Sequence, residues 1–180
     1  DRAENQFGRD FPGVALEGWA LFGGGMYTVP ALMQMELAER LGDKGKEFLK
    51  WTVEGLKAYA RYGYNAEENN FRPMWADGTD LTGYAFSRTG YYGPQGRVLK
   101  PSWADELYLF SYARAHRLSK DPDIWKVVRS IIKGLQLGDP GPGPGQNTQL
   151  NLATDNSNPY AIFALLELNR ATNDKAFLKL

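Results

Sequence analysis

The sequence predicts an all-α fold, built from helical hairpins of an incomplete (α/α) toroid with long, partly extended loops at one end. Three observations carry this. Helical apolar periodicity recurs along the chain, a short polar turn repeats three times, and the connections between the repeats are long. The chain has 180 residues, 43% of them apolar and 23% charged, so it can bury a core and reads as one globular domain over 1–180.

Each element follows from local chemistry. A first helix is expected over about Tyr27 to Leu41, with Leu32, Met33, Leu37 and Leu41 on one face. A second runs about Lys46 to Tyr62. Its stripe is Leu49, Thr52, Val53, Leu56, Tyr59 and Ala60, and Lys50, Glu54, Lys57 and Arg61 face out. A third follows Pro101-Ser102, read as its cap, with Asp105 and Glu106 in the positive first turn, and ends near Leu118. A fourth opens at Asp121-Pro122 and carries Ile124, Val128, Ile131, Ile132 and Leu135 at helical spacing. A fifth opens after Asn158-Pro159, and a sixth begins at Asp174. Helices two and four are amphipathic, whereas three and five are apolar nearly all round. That alternation predicts an inner layer of odd helices and an outer layer of even ones.

The segments starting at Arg40, Arg117 and Arg170 share a pattern: a helix end, a polar turn and a new apolar helix start. Three copies of one unit indicate a repeat of hairpins. The returns between hairpins, about Gly63 to Pro101 and Gly138 to Asn158, should lie together at the pole opposite the short turns, where long loops are usually functional. The run from Asp139 to Gly145 alternates Pro and Gly and is expected to frame a site. The stretch Phe7 to Gly25 is read as the return into the first hairpin, and the chain as part of a larger ring of hairpins.

Several classes are excluded. Lys+Arg 21 balances Asp+Glu 21, which argues against nucleic acid or an anionic membrane as the main partner. No apolar run reaches the ~18 residues of a membrane span. There is no cysteine, so disulfides and thiolate chemistry are out. The single histidine, His116, falls in the last turn of helix three and reads as a surface residue neutralising the helix end. Met26, Met33, Met35 and Met74 read as core filler, Glu67-Glu68 as a solvated turn, and Glu17 and Trp19 as packing residues.

The first return concentrates Arg72, Trp75, Asp77, Asp80, Tyr84, Arg88, Tyr91, Tyr92, Arg97 and Lys100. Rings stack on pyranose faces and Arg forks grip carboxylates, so the set suits an acidic sugar. Direct contact is expected from Arg88, Tyr91, Lys100 and Arg97, with Trp75 or Tyr92 as a stacking platform and Asp77 also among the substrate-binding residues. Two other readings stay open. A glycoside hydrolase acting on acidic sugars would use Asp77 and Asp80 as its paired carboxylates, although three residues apart on a turn they suit bracing better. A non-catalytic carbohydrate-binding fragment would use the same loop.

The strings from Asp77 to Tyr84, from Ser87 to Gly93 and from Gly96 to Lys100, with Leu109 to Ala115 and Asn158 to Leu168, resemble the (α/α)-toroid pectate lyases of polysaccharide lyase family 2. The resemblance covers about Gln6 to Leu180 and points to the C-terminal side of that catalytic domain. It implies β-elimination on polygalacturonate, a base that is an arginine, and a divalent metal held by a cluster containing histidines. With His116 alone, the metal ligands are not identifiable in this chain. The chain would then supply mainly the substrate groove, with Arg88 and Lys100 neutralising the uronate carboxylate. The implied partners are an acidic polysaccharide or oligogalacturonate and the remainder of the same toroid. A periplasmic or secreted location is favoured over the cytoplasm.

Overall fold

The computed structural model of the chain describes residues 24–74, 79–89 and 93–180. Among the described residues five α-helices run in order: α1 Gly24–Leu41, α2 Lys46–Gly63, α3 Glu106–Ser119, α4 Pro122–Gly134 and α5 Pro159–Thr172. Two 3-10 turns, Gly42–Gly45 and Lys175–Leu178, follow α1 and α5. Five two-residue strands lie in the long returns: β1 Tyr64–Asn65, β2 Asn70–Phe71, β3 Ser102–Trp103, β4 Gly138–Asp139 and β5 Gln149–Leu150. The helical-hairpin expectation therefore stands, with Gly24 and Gly25 already inside α1.

Helix α3 packs against both α1 and α5, while α2 and α4 lie behind their hairpin partners. That is the two-layer arrangement of odd and even helices. The core gathers Leu56 and Tyr59 of α2, Tyr108 and Tyr112 of α3, and Ile124, Val128 and Ile131 of α4. The repeated turn has a repeated conformation. Gly42, Lys120 and Asn173 each take a left-handed φ, of 55°, 57° and 58°. Such a residue ends a helix, and the amides of Lys120 and Asn173 themselves donate to the carbonyls of His116 and Asn169. In two copies the following Asp caps the next element: Asp121 accepts from the amides of Asp123 and Ile124, and Asp174 from that of Ala176. The first copy differs. It uses the 3-10 turn and brings Gly45 so close to Ala38 that a Cβ would lie 2.2 Å from the Ala38 carbonyl oxygen.

Three packing expectations need correction. Helix α1 buries Thr28, Ala31, Met35 and Ala38, whereas Met33 is 68% exposed and Leu37 and Leu41 are also outside. The two alanines allow close approach, and Glu36 and Glu39 turn toward arginines on α3, so this face wins over the bulkier apolar one. Met33 is therefore not core filler, while Met35 and Met74 are. Helix α5 buries only one side, Ala161, Ala164, Leu165 and Leu168, and leaves Ile162, Phe163 and Leu166 exposed. The cap of α3 is Asp105, which accepts from the amides of Leu107 and Tyr108, whereas Ser102 pairs in β3.

An ion-pair ladder crosses the inner layer. Arg40 meets Glu36, Arg114 meets Glu36 and Glu39, and Arg117 meets Glu39 at 2.7 Å and also Glu167, which pairs with Arg170. Signs alternate from α1 through α3 to α5, so each charge has an opposite neighbour. Hydrogen bonds from Arg114 and Arg40 pull the Glu36 carboxyl down to about 2.

Candidate functional site

The first crossover is anchored by one ring. Phe71 on β2 is fully buried and stacks on Tyr108 at 4.3 Å and on Tyr59 at 4.6 Å between ring centres, with Tyr64 at 4.9 Å. The Tyr59 and Tyr108 hydroxyls share a hydrogen bond of 3.1 Å, and burial pushes the Tyr108 hydroxyl up to about 12. Strands β1, β2 and β3 form one antiparallel sheet, with Tyr64, Phe71 and Ser102 in register on the core side. Asn69 precedes β2 at φ 47°, accepts from the Tyr64 hydroxyl and donates to the Ala104 carbonyl. Its amide presses on Gly134, where a Cβ would lie 2.2 Å from the Asn69 Cγ, so α4 ends on a glycine at that contact.

Beyond this anchor the chain folds back on itself. The Phe86 amide donates to the Arg97 carbonyl and the Leu99 amide to the Tyr84 carbonyl, both at 2.9 Å, around the bridge of Ala85 with Val98. Leu81, Phe86 and Leu99 are buried beneath this ladder. The three cations expected to meet substrate, Arg88, Arg97 and Lys100, are all solvent-exposed. Alternation along an extended strand puts Lys100 on the side of Val98 and Arg97 on the other side, beside Phe86. The ladder thus presents Arg97 and Lys100 on opposite sides. The Arg97 stem lies over Gly93, where a Cβ would meet the Arg97 Cδ at 2.7 Å. Trp75, Asp77, Tyr91 and Tyr92 lie outside the described residues, as do Glu17 and Trp19.

Arg72 and Asp80 turn out to brace the loop. Arg72 Nε donates to the Tyr62 carbonyl at 2.6 Å, and its guanidinium reaches Asp80 at 3.4 Å. Partial burial alone would raise the Asp80 carboxyl, but bonds from the Thr82 amide and hydroxyl, with the Arg72 charge, hold it below its usual range. Asp80 is therefore a bracing carboxylate, as its place on a turn suggested. Glu67 and Glu68 stand exposed on their turn, as expected.

The second crossover does not do what its Pro-Gly run suggests. Asp139 pairs with Arg129 at 2.8 Å in the middle of α4, and the Trp125 indole donates to the Gly141 carbonyl at 3.2 Å near its start. Gly145 approaches Thr172 at the end of α5. The hairpin of β4 and β5 therefore runs back along α4 to the short-turn pole. Gly141, at φ +92°, makes the reversal possible: a Cβ there would lie 1.6 Å from the Gln146 carbonyl oxygen. The tail of this crossover meets the first turn of α3. Glu106 accepts from Asn156 at 2.6 Å and from Asn158, the cap of α5, at 2.9 Å. Sequence reasoning missed this clamp; the signal was an acidic first-turn residue facing an Asn-rich run.

His116 also differs from expectation. It is 1% exposed, packs on Trp125 at 4.9 Å between ring centres, and holds Nδ1 3.1 Å from the Asp121 carbonyl oxygen. Burial lowers its pKa, so it is neutral at neutral pH and neutralises no helix end. Its Nε2 is buried without a partner. Among the described residues no group of three or more histidine or carboxylate side chains converges to hold a metal ion. The described residues thus do not fit a metal centre.

Comparison with known proteins gives the same direction as the loop. A pectate disaccharide-lyase of Dickeya dadantii (strain 3937) is 37% identical over 138 residues, which is 76% of this chain and 25% of that protein. The chain spans about a quarter of the length of the curated relative it matches. No helix among the described residues is long and apolar enough to cross a membrane. The family described as periplasmic pectate lyase matches residues 1–180, and the chain belongs to that family.

Proposed function

We propose that this chain is the substrate-groove part of a pectate lyase that cleaves polygalacturonate by β-elimination in the periplasm or outside the cell. The observation that carries the reading is the family match over residues 1–180. The exposed cations of the first crossover support the choice of an acidic polymer. The hairpins form one part of an (α/α) toroid whose remainder is the chain's partner, and 1–180 is one domain within it.

In the elimination a base removes the proton on the carbon next to the uronate carboxylate. The electron pair becomes a carbon–carbon double bond, the glycosidic carbon–oxygen bond breaks, and the departing sugar oxygen takes up a proton. Negative charge develops on the carboxylate side as the proton leaves, so fixed cations there lower the barrier. Arg88 and Lys100 take that role, with Arg97, Trp75, Asp77, Tyr91 and Tyr92 as substrate contacts. An arginine base must lose a proton held above a pKa of about 12, so neutralisation is the role its chemistry favours. Family membership suggests metal use in general, and the ligands would lie outside the described residues.

The test is ultraviolet absorbance of polygalacturonate incubated with the protein, with and without added divalent metal. An unsaturated, absorbing product is expected. New reducing ends without that absorbance would replace elimination by hydrolysis.

A further inference from the structure

The outer face of the three-stranded sheet is open. Register places Asn65, Asn70 and Trp103 in one row across β1, β2 and β3, because paired residues share a face. Trp103 is 54% exposed. Asn65 and Asn70 of the row line a cleft of about 600 Å³ together with Glu67, Glu68, Arg72 and Asp80, and Trp103 adjoins Asn70 in the row. Its charge is the reverse of what a polyuronate needs. The lining carries three carboxylates and one guanidinium, and Arg72 is already committed to Asp80 and the Tyr62 carbonyl. A uronate would be repelled here.

Carboxylates and amides are strong partners for hydroxyl groups, since a carboxylate accepts two or more O–H bonds and an amide both donates and accepts. An exposed indole beside them offers a flat apolar surface for the C–H face of a ring. We propose that this cleft is a subsite for a neutral hexopyranose, whose hydroxyls donate to Glu67 and Glu68 and whose ring rests on Trp103. Asn65 fixes the mouth, because its Oδ1 accepts from the amides of Glu67 and Glu68 and so sets the carboxylate-bearing turn. Asn70 steadies Glu68 by donating to its carboxylate at 2.8 Å. The inference rests on the lyase reading for its biological setting: a pectic polymer whose uronate run is flanked or branched by neutral sugars. The cation ladder would hold the charged part and the sheet face the uncharged part.

The test is calorimetric titration of the protein with a neutral galactotetraose and a mannotetraose, beside trigalacturonate and spermidine. At least one neutral tetrasaccharide should bind, and W103A should weaken it about 10-fold, a change of about 1.4 kcal/mol. E67Q should weaken the same ligand and serves alone if circular dichroism shows W103A to be misfolded. R88A should reduce trigalacturonate binding and leave the neutral ligand's affinity within twofold. No binding of either neutral probe, unchanged affinity in both W103A and E67Q, or spermidine binding that both variants abolish would overturn the subsite. Loss of trigalacturonate binding in the parent protein, with the neutral ligand retained, would instead remove the lyase reading and leave the subsite standing.

Discussion

The two long crossovers, 64–105 and 135–158, are unlike in how they are held. The first is fastened by a ring: Phe71 sits at the centre of Tyr59, Tyr64 and Tyr108, and the polar loop hangs from that point. The second is fastened by charge and by glycine: Asp139 on Arg129 and Lys133, Trp125 on the Gly141 carbonyl. On the first crossover Arg88, Arg97 and Lys100 are exposed, while Arg72 and Asp80 brace the loop. On the second, Asp139 is tied to α4. Length alone therefore does not mark a functional loop; the way it is anchored matters.

The largest test of this contrast is Phe71→Ala. Removing a fully buried aromatic side chain costs about 3–5 kcal/mol, because the surrounding tyrosines cannot collapse into the space. Chemical denaturation should show that loss, with a melting point lowered by ~10 °C for a chain of this size. Gly141→Ala comes next. A left-handed residue with a Cβ driven onto a carbonyl should cost about 1–3 kcal/mol, since the hairpin must open to relieve it. Trigalacturonate binding should stay within twofold, because the hairpin lies along α4 away from the cation ladder.

Acid should separate charge from aromatic anchoring. The folded carboxyls of Glu36 and Asp139 are both depressed, chiefly by bonds from Arg114 and Arg129. Depressed carboxyls stabilise the fold above their ordinary pKa and lose that contribution as pH falls toward the folded value. For Glu36 the window runs from 4.5 down to about 2. Stability followed by denaturation from pH 6 downward should fall through about this range, and Glu36→Gln should flatten part of the fall. The smallest expected effect on stability is that of Arg88→Ala, within about 0.5 kcal/mol for an exposed position.

Local chemistry was readable from the chain. Asp121-Pro122 and Asn158-Pro159 open helices where a capping side chain and a proline predict them, and the three turns share a left-handed residue. Facing was harder. Met33 and Leu37 have the right spacing for a core stripe, but Ala31 and Ala38 allow a closer approach and win the interface. The path of the second crossover depends on Arg129 and Trp125 reaching a loop ten to sixteen residues away, which no periodicity encodes. For the site, residue types on the first crossover pointed to an acidic sugar. The alternation that separates Arg97 from Lys100 appears only with the bridge of Ala85 and Val98. Trp103, a single tryptophan shortly before a helix, has the sequence signature of a packing residue, and its exposure is visible only in the fold.

The most direct measurement is a titration of trigalacturonate into the parent protein, Arg88→Ala and Gly141→Ala, with the melting point of each recorded. The account predicts that Arg88→Ala binds about 10-fold more weakly at an unchanged melting point, a loss of about 1.4 kcal/mol, while Gly141→Ala melts lower and binds as the parent does. Undiminished binding in Arg88→Ala, or binding lost only when the Pro-Gly hairpin is disturbed, would contradict it.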